Sequence, residues 1–151
     1  MATDVVVYLE GVDSAAARGG FFELSTVPAT GGFVPPTNSV IEIQSGFLSS
    51  AGITPAAFGS DPKNLENVAR LLDNIPDFED NGGSRFYVVL YDYAKETNAD
   101  AWLYAATATQ GDGFDFSDGK PANVTRDTDT LELIAIFKGV GVNAFTTDNF
   151  L

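Results

Sequence analysis

The residues best suited to chemistry in this chain are three aspartates in one acidic stretch, Asp112, Asp115 and Asp118, followed by Gly119. A calcium loop needs several carboxylate oxygens converging on one point and a glycine where the backbone turns sharply. The spacing here is i, i+3, i+6, which departs from the alternate-residue spacing of an EF-hand, and no glutamate closes the loop. The three aspartates are the best metal candidate in the chain and a weak one; the expected reading is a solvated acidic hairpin. A second acidic knot, Asp77, Glu79 and Asp80, offers paired carboxylates of the kind that serve glycoside hydrolysis. The aromatic residues that would line a sugar site, Trp102 and scattered tyrosines, read more simply as strand core. The knot is expected to be a charged turn.

The remaining chemistry is excluded by what the chain lacks. It has no His and no Cys, so the commonest general base, the commonest metal ligand and the thiolate nucleophile are all missing. Glycine pairs at 19–20, 31–32 and 82–83 match neither the phosphate-binding loop nor the dinucleotide fingerprint. Asn123-Val124-Thr125 fits the glycosylation pattern, but without a secretion signal it is read as coincidence. No enzyme activity, no cofactor and no catalytic residue is expected.

Charge points the same way. Asp and Glu number 21 against 8 Lys and Arg, a net charge of −13. The basic residues (Arg18, Lys63, Arg70, Arg85, Lys95, Lys120, Arg126 and Lys138) stand singly, so no basic stripe exists to hold a phosphate backbone. The chain of 151 residues fits one domain, and its 44% hydrophobic residues, with 12 Phe, can fill a core without staples. No positively charged leader with an apolar stretch opens the sequence, and no run approaches the ~20 apolar residues of a membrane span. A protein made in the cytoplasm, without membrane contact, is expected.

Positioning elements follow from pattern. Residues 4–10 and 39–48 read as strands, the second with Val40, Glu42 and Gln44 on a wetter face, Ile41, Ile43, Ser45 and Phe47 on the other, and a bulge or bend at Gly46. Between them, residues 11–38 are loop-like and rich in Gly and Pro, with a short strand possible at Phe21–Ser25. Such a long open stretch is usually functional or mobile. A helix is expected over about 61–75, with Asp61 as N-cap, Pro62 as first residue and Leu65, Val68, Ala69 and Leu72 as its buried stripe. Arg85–Tyr93 is apolar on both faces and so reads as a strand covered on both sides. Ala101–Thr109 and Asp129–Lys138 complete the strands, the last with Leu131, Leu133, Ala135 and Phe137 sharing one face.

The tail, 139–151, is an apolar terminus that must be pinned to this domain or to a neighbour. The fold class is α+β, mainly antiparallel: a rolled sandwich or small barrel with one flanking helix. The assembly-interface candidates are Phe21, Phe22, Phe33 and Val34 in the long loop, and Phe145, Phe150 and Leu151 in the tail.

From residue 64 to 139 the order of elements resembles the major tail-tube proteins of long-tailed bacteriophages. The likeness runs from the Leu65–Leu72 helix through Arg85–Tyr91, Ala101–Ala106, the acidic hairpin, Val124–Arg126 and Leu131–Ile134 to a closing Gly139. The resemblance implies a virion structural protein, assembled in the host cytoplasm. Its partners would be itself, in hexameric rings stacked around a DNA conduit, and other virion proteins, with no tight hold on nucleic acid. The N-terminal third departs from that pattern. Two alternatives share the texture: a capsid decoration or head-stabilising protein, and a jelly-roll glycan-binding module using Trp102 and tyrosines. Calcium titration followed by thermal melting tests the acidic hairpin: an unchanged midpoint is expected, and a rise with calcium would establish a site at Asp112–Asp118.

Overall fold

The computed structural model describes residues 20–28, 36, 38–72, 74, 85–95, 97–107 and 130–150. The expected strand at 4–10, the acidic turn at 77–80 and the acidic hairpin at 110–128 lie outside these residues. The described chain forms a five-stranded sheet in sequence order: β1 (Phe21–Leu24), β2 (Val40–Ile43), β3 (Arg85–Tyr91), β4 (Ala101–Thr107) and β5 (Thr130–Phe137). The long strands β3, β4 and β5 pair antiparallel, whereas β1–β2 and β2–β3 pair parallel. The class is α+β with a mixed sheet, and the short strands make it mixed. Parallel neighbours need a crossover. Between β2 and β3 that crossover carries three helices, α1 (Ser45–Ser50), α2 (Pro55–Phe58) and α3 (Leu65–Leu72).

The expectation of a single flanking helix over 61–75 is therefore corrected. Helix α3 starts at Leu65, not at Pro62. Asn64 accepts the Asn67 N–H at 3.2 Å, the pattern of an N-cap, while Asp61 accepts the Lys63 N–H at 2.9 Å in the turn before it. The apolar stripe holds, since Val68, Ala69 and Leu72 are buried with Leu71, and Leu65 is half-buried against them. Glu66 and Arg70 form the i, i+4 surface pair at 3.5 Å.

The expected strand over 39–48 also ends early. It stops at Ile43, and Gly46 lies inside α1 rather than at a bulge. Helix α1 turns Phe47 and Leu48 into the core, both essentially inaccessible.

Helix α2 and the turn that follows it cover part of one face of the sheet. Phe58 of α2 stacks on Trp102 of β4, with ring centroids 6.0 Å apart, and Tyr104 donates its hydroxyl to the Pro62 carbonyl at 2.6 Å. Register puts Phe86, Val88 and Leu90 on the same face, opposite Ala106, Tyr104 and Trp102. The other face carries Val40, Glu42, Tyr87, Val89 and Tyr91. The C-terminal segment covers part of it, through Phe145 and Phe150.

Strand β5 corrects a further expectation. Leu131 and Leu133 pair with Ala106 and Tyr104, but Ala135 and Phe137 pair with Leu103 and Ala101, across a register shift. Leu103 and Tyr104 are consecutive and face opposite sides, so the four β5 residues do not share one face. The extra residue, Ile134, is a bulge that moves the apolar set from the helix side to the side of Phe145.

Gly46 supplies a test of the backbone. Alanine normally stabilises a helix by about 1 kcal/mol over glycine. Here an added Cβ would meet the Ser25 carbonyl oxygen at 2.7 Å. Gly46→Ala is expected to destabilise by roughly 1–3 kcal/mol in chemical denaturation; stabilisation would show that residues 24–26 do not pack there.

Candidate functional site

Among the described residues two carboxylates are buried, Glu42 and Asp92. Glu42 is in the middle of β2 and is completely inaccessible. Its strand lies between β1 and β3 in register, so both its neighbours are protein. Tyr91, at the end of β3, donates its hydroxyl to Glu42 Oε2. Gln44 donates its side-chain amide to Oε1 at 3.0 Å. The Tyr91 oxygen in turn accepts the Phe145 N–H at 3.3 Å. A chain of hydrogen bonds thus runs from the C-terminal backbone through one phenol to a buried carboxyl.

Electrostatics makes this a costly place for a charge. Burial pushes the Glu42 carboxyl above its ordinary range, against the lowering effect of the bonds from Tyr91 and Gln44. The Glu23 charge, in register on β1, raises it further. Burial, with the Glu42 charge behind it, likewise drives the Tyr91 hydroxyl far above the usual phenol range, so it remains a donor. Tyr93 completes the group, donating to the Ile43 carbonyl at 2.6 Å. The expectation that Glu42 lies on a wetter face is corrected: a strand laid parallel against the doubly covered β3 is itself covered.

Asp92 is bound differently. Ser60 donates to it at 2.8 Å, and Lys95 pairs with it at 3.2 Å. It ties the segment after α2 to the β3–β4 turn. Asp100 closes that turn against β5: Lys138 at 2.8 Å and the Gly139 N–H at 2.9 Å hold its carboxyl below the usual carboxylate range. Among the described residues no group of three or more Asp or Glu side chains is placed to hold a metal ion.

The other distinctive surface is the outer side of β5. No strand pairs there among the described residues. Among the described residues Ile134 and Ile136 are the exposed large apolar side chains, at 46% and 38% of full exposure.

The sequence-derived candidates are dispersed. Asp112, Asp115 and Asp118 lie outside the described residues, as do Phe33, Val34 and Leu151. Phe21 and Phe22 are half-buried on β1, with Phe21 stacked on Phe150 at 5.5 Å. Phe145 and Phe150 are buried in the chain's own core. Trp102 and the tyrosines at 87, 91, 93 and 104 are all buried, so none presents a ring to a sugar. Sequence reasoning passed over Glu42, Tyr91 and Gln44. The available signal was an acid inside Val-Ile-Glu-Ile, a run otherwise suited to a covered strand.

Comparison with protein-family models, with curated proteins and with solved structures gives no match.

The buried carboxyl predicts a pH dependence. Because the folded state holds the Glu42 proton more tightly than the unfolded chain, its contribution is favourable below the ordinary value of 4.5 and is lost as pH rises through the raised folded value. Urea unfolding of wild type and Glu42→Gln across that range is expected to show wild type losing stability relative to the variant as pH rises. Parallel profiles would mean that the carboxyl ionises freely.

Proposed function

We propose that this chain is a self-associating structural subunit that joins other copies through the outer side of β5. The carrying observation is the pair Ile134 and Ile136 on a strand that is at the sheet edge among the described residues. An edge offers unpaired backbone groups, and apolar side chains on it favour addition of another strand. Burial of these two side chains between copies would remove apolar area from water at about 25 cal/mol per Å². A subunit with a net charge of −13 repels its copies, an effect that salt screens beyond about 8–10 Å.

The finer form of this reading is a tail-tube subunit, with the sheet rolled into a sandwich and the copies stacked as hexameric rings around a DNA conduit. Its support is the order α3, β3, β4, β5, together with an acidic, basic-poor composition unsuited to gripping nucleic acid. No catalytic role is assigned. The chain has no His or Cys, and among the described residues the buried carboxylates are each engaged by neighbouring side chains.

Mass photometry with negative-stain microscopy, over a range of protein and salt concentrations, tests both levels. Concentration-dependent oligomers are expected, stabilised by salt. Ile134→Lys with Ile136→Lys is expected to abolish them while shifting folding stability by no more than about 0.5 kcal/mol. Stacked rings would support the tail-tube form, and closed trimers the capsid-decoration form. A strictly monomeric wild type overturns the proposal.

A further inference from the structure

We propose that residues 140–150 form a strap that closes over Glu42 when this carboxyl is protonated and opens when it is ionised.

The strap has a defined beginning. Gly139, Gly141 and Asn143 all take positive φ, at 65°, 89° and 57°, so the chain reverses sharply as it leaves β5. Polar contacts then hold it at several points. Gly141 N–H donates to the Ala99 carbonyl at 3.0 Å, and Asn143 accepts the Ser45 N–H at 3.1 Å. Phe145 N–H donates to Tyr91 at 3.3 Å. Beyond Phe145 the strap braces itself, with Asn149 accepting the Thr146 N–H at 2.7 Å. Its grip on the sheet is aromatic: Phe145 against Phe137 at 5.3 Å and Tyr91 at 6.4 Å, and Phe150 against Phe21 at 5.5 Å.

Glu42 and the strap share one atom, the Tyr91 hydroxyl oxygen. With Glu42 neutral, the closed strap encloses no charge at this point, and Tyr91 and Gln44 bond to the carboxyl oxygens. With Glu42 ionised, the same closure keeps a carboxylate from water. Among the described residues the groups bearing on that charge are Glu23 from β1, Tyr91 from β3 and Gln44 on its own segment, with the Phe145 backbone from the strap. None is a cation. Tyr93, just beyond β3, also feels the Glu42 charge and stays neutral. Helix α1 carries no charged side chain, and the titratable group of the strap, Asp148, is exposed. Lifting Phe145 and Phe150 admits water to Glu42 without separating β2 from β3, so opening is the local response to ionisation.

Hydrogen exchange on the full chain between pH 4 and pH 8, corrected for intrinsic rates, tests this proposal at about 25 °C. Strap amides, with Phe145 as reporter, are expected to lose protection as pH rises from the ordinary carboxylate value of 4.5 to the raised value of Glu42, by up to about tenfold per pH unit, then level off. Amides of β4 are expected to keep theirs. Glu42→Gln is expected to make strap protection independent of pH. Glu23→Gln, a change at an exposed position, is expected to make the loss level off at lower pH, because it removes the like charge that helps raise Glu42. The proposal is overturned if strap and β4 lose protection together, or if the strap shows the same pH slope in wild type and both variants.

Discussion

The structure depends on one constraint: β3 is apolar on both faces and must be covered on both. Phe86, Val88 and Leu90 face one side, and Tyr87, Val89 and Tyr91 the other, all buried. Burying this one strand twice requires two layers. The β2–β3 crossover supplies the first as α1, α2 and α3, because parallel pairing forces the chain to travel the length of the sheet before returning. The C-terminal segment contributes to the second through Phe145 and Phe150. Strand β2 inherits the same burial because it lies beside β3, and this is why an acid in its middle is enclosed.

The bulge at Ile134 has a comparable reach. Without it, Leu131, Leu133, Ala135 and Phe137 would all press against the helix side, leaving Phe145 without Phe137. The extra residue lets one edge strand serve both layers in succession. Ile134, the extra residue, and Ile136, opposite Trp102, both stay exposed. A bulge bends and twists an edge, so any strand added there must match a twisted partner rather than a flat one. That geometric demand limits which surfaces can pair with β5.

Much of this was legible from pattern. The both-face apolar run at Arg85–Tyr93 marked the central strand, and the i, i+3, i+4, i+7 spacing at Leu65–Leu72 marked the helix and its buried stripe. Boundaries were less legible. Asp61-Pro62 has the chemistry of a helix start but forms a turn, and Asn64 does the capping instead. Val40–Phe47 alternates convincingly, yet alternation alone does not reveal that residues from Ser45 onward coil into α1. The site was nearly invisible. Alternation assigns Glu42 to a wet face, and only the pairing partner decides otherwise. Partners many residues apart, such as Glu42 with Tyr91 and Tyr91 with Phe145, leave no local trace. The bulge was hidden for the same reason, since it is a property of the β4–β5 register.

Glu42 is not explained by stability. An amide of the same shape would keep the Tyr91 bond, and the Gln44 contact with that side chain turned to accept, without the charge desolvation that raises this carboxyl. A buried acid with an upward-shifted titration holds the fold less firmly at neutral pH than its amide would. Polar groups enclosed at such a cost are retained where they fix an arrangement or let it change. Tyr91 argues for the second use. Its hydroxyl joins Glu42 to the Phe145 backbone, so whatever the carboxyl gains or loses is felt first where the tail meets the sheet. On the helix side, Trp102 and Tyr104 meet α2 and the Pro62 turn through rings and a neutral hydroxyl. One layer of the structure is therefore fixed by packing, and the other is closed over a group that titrates.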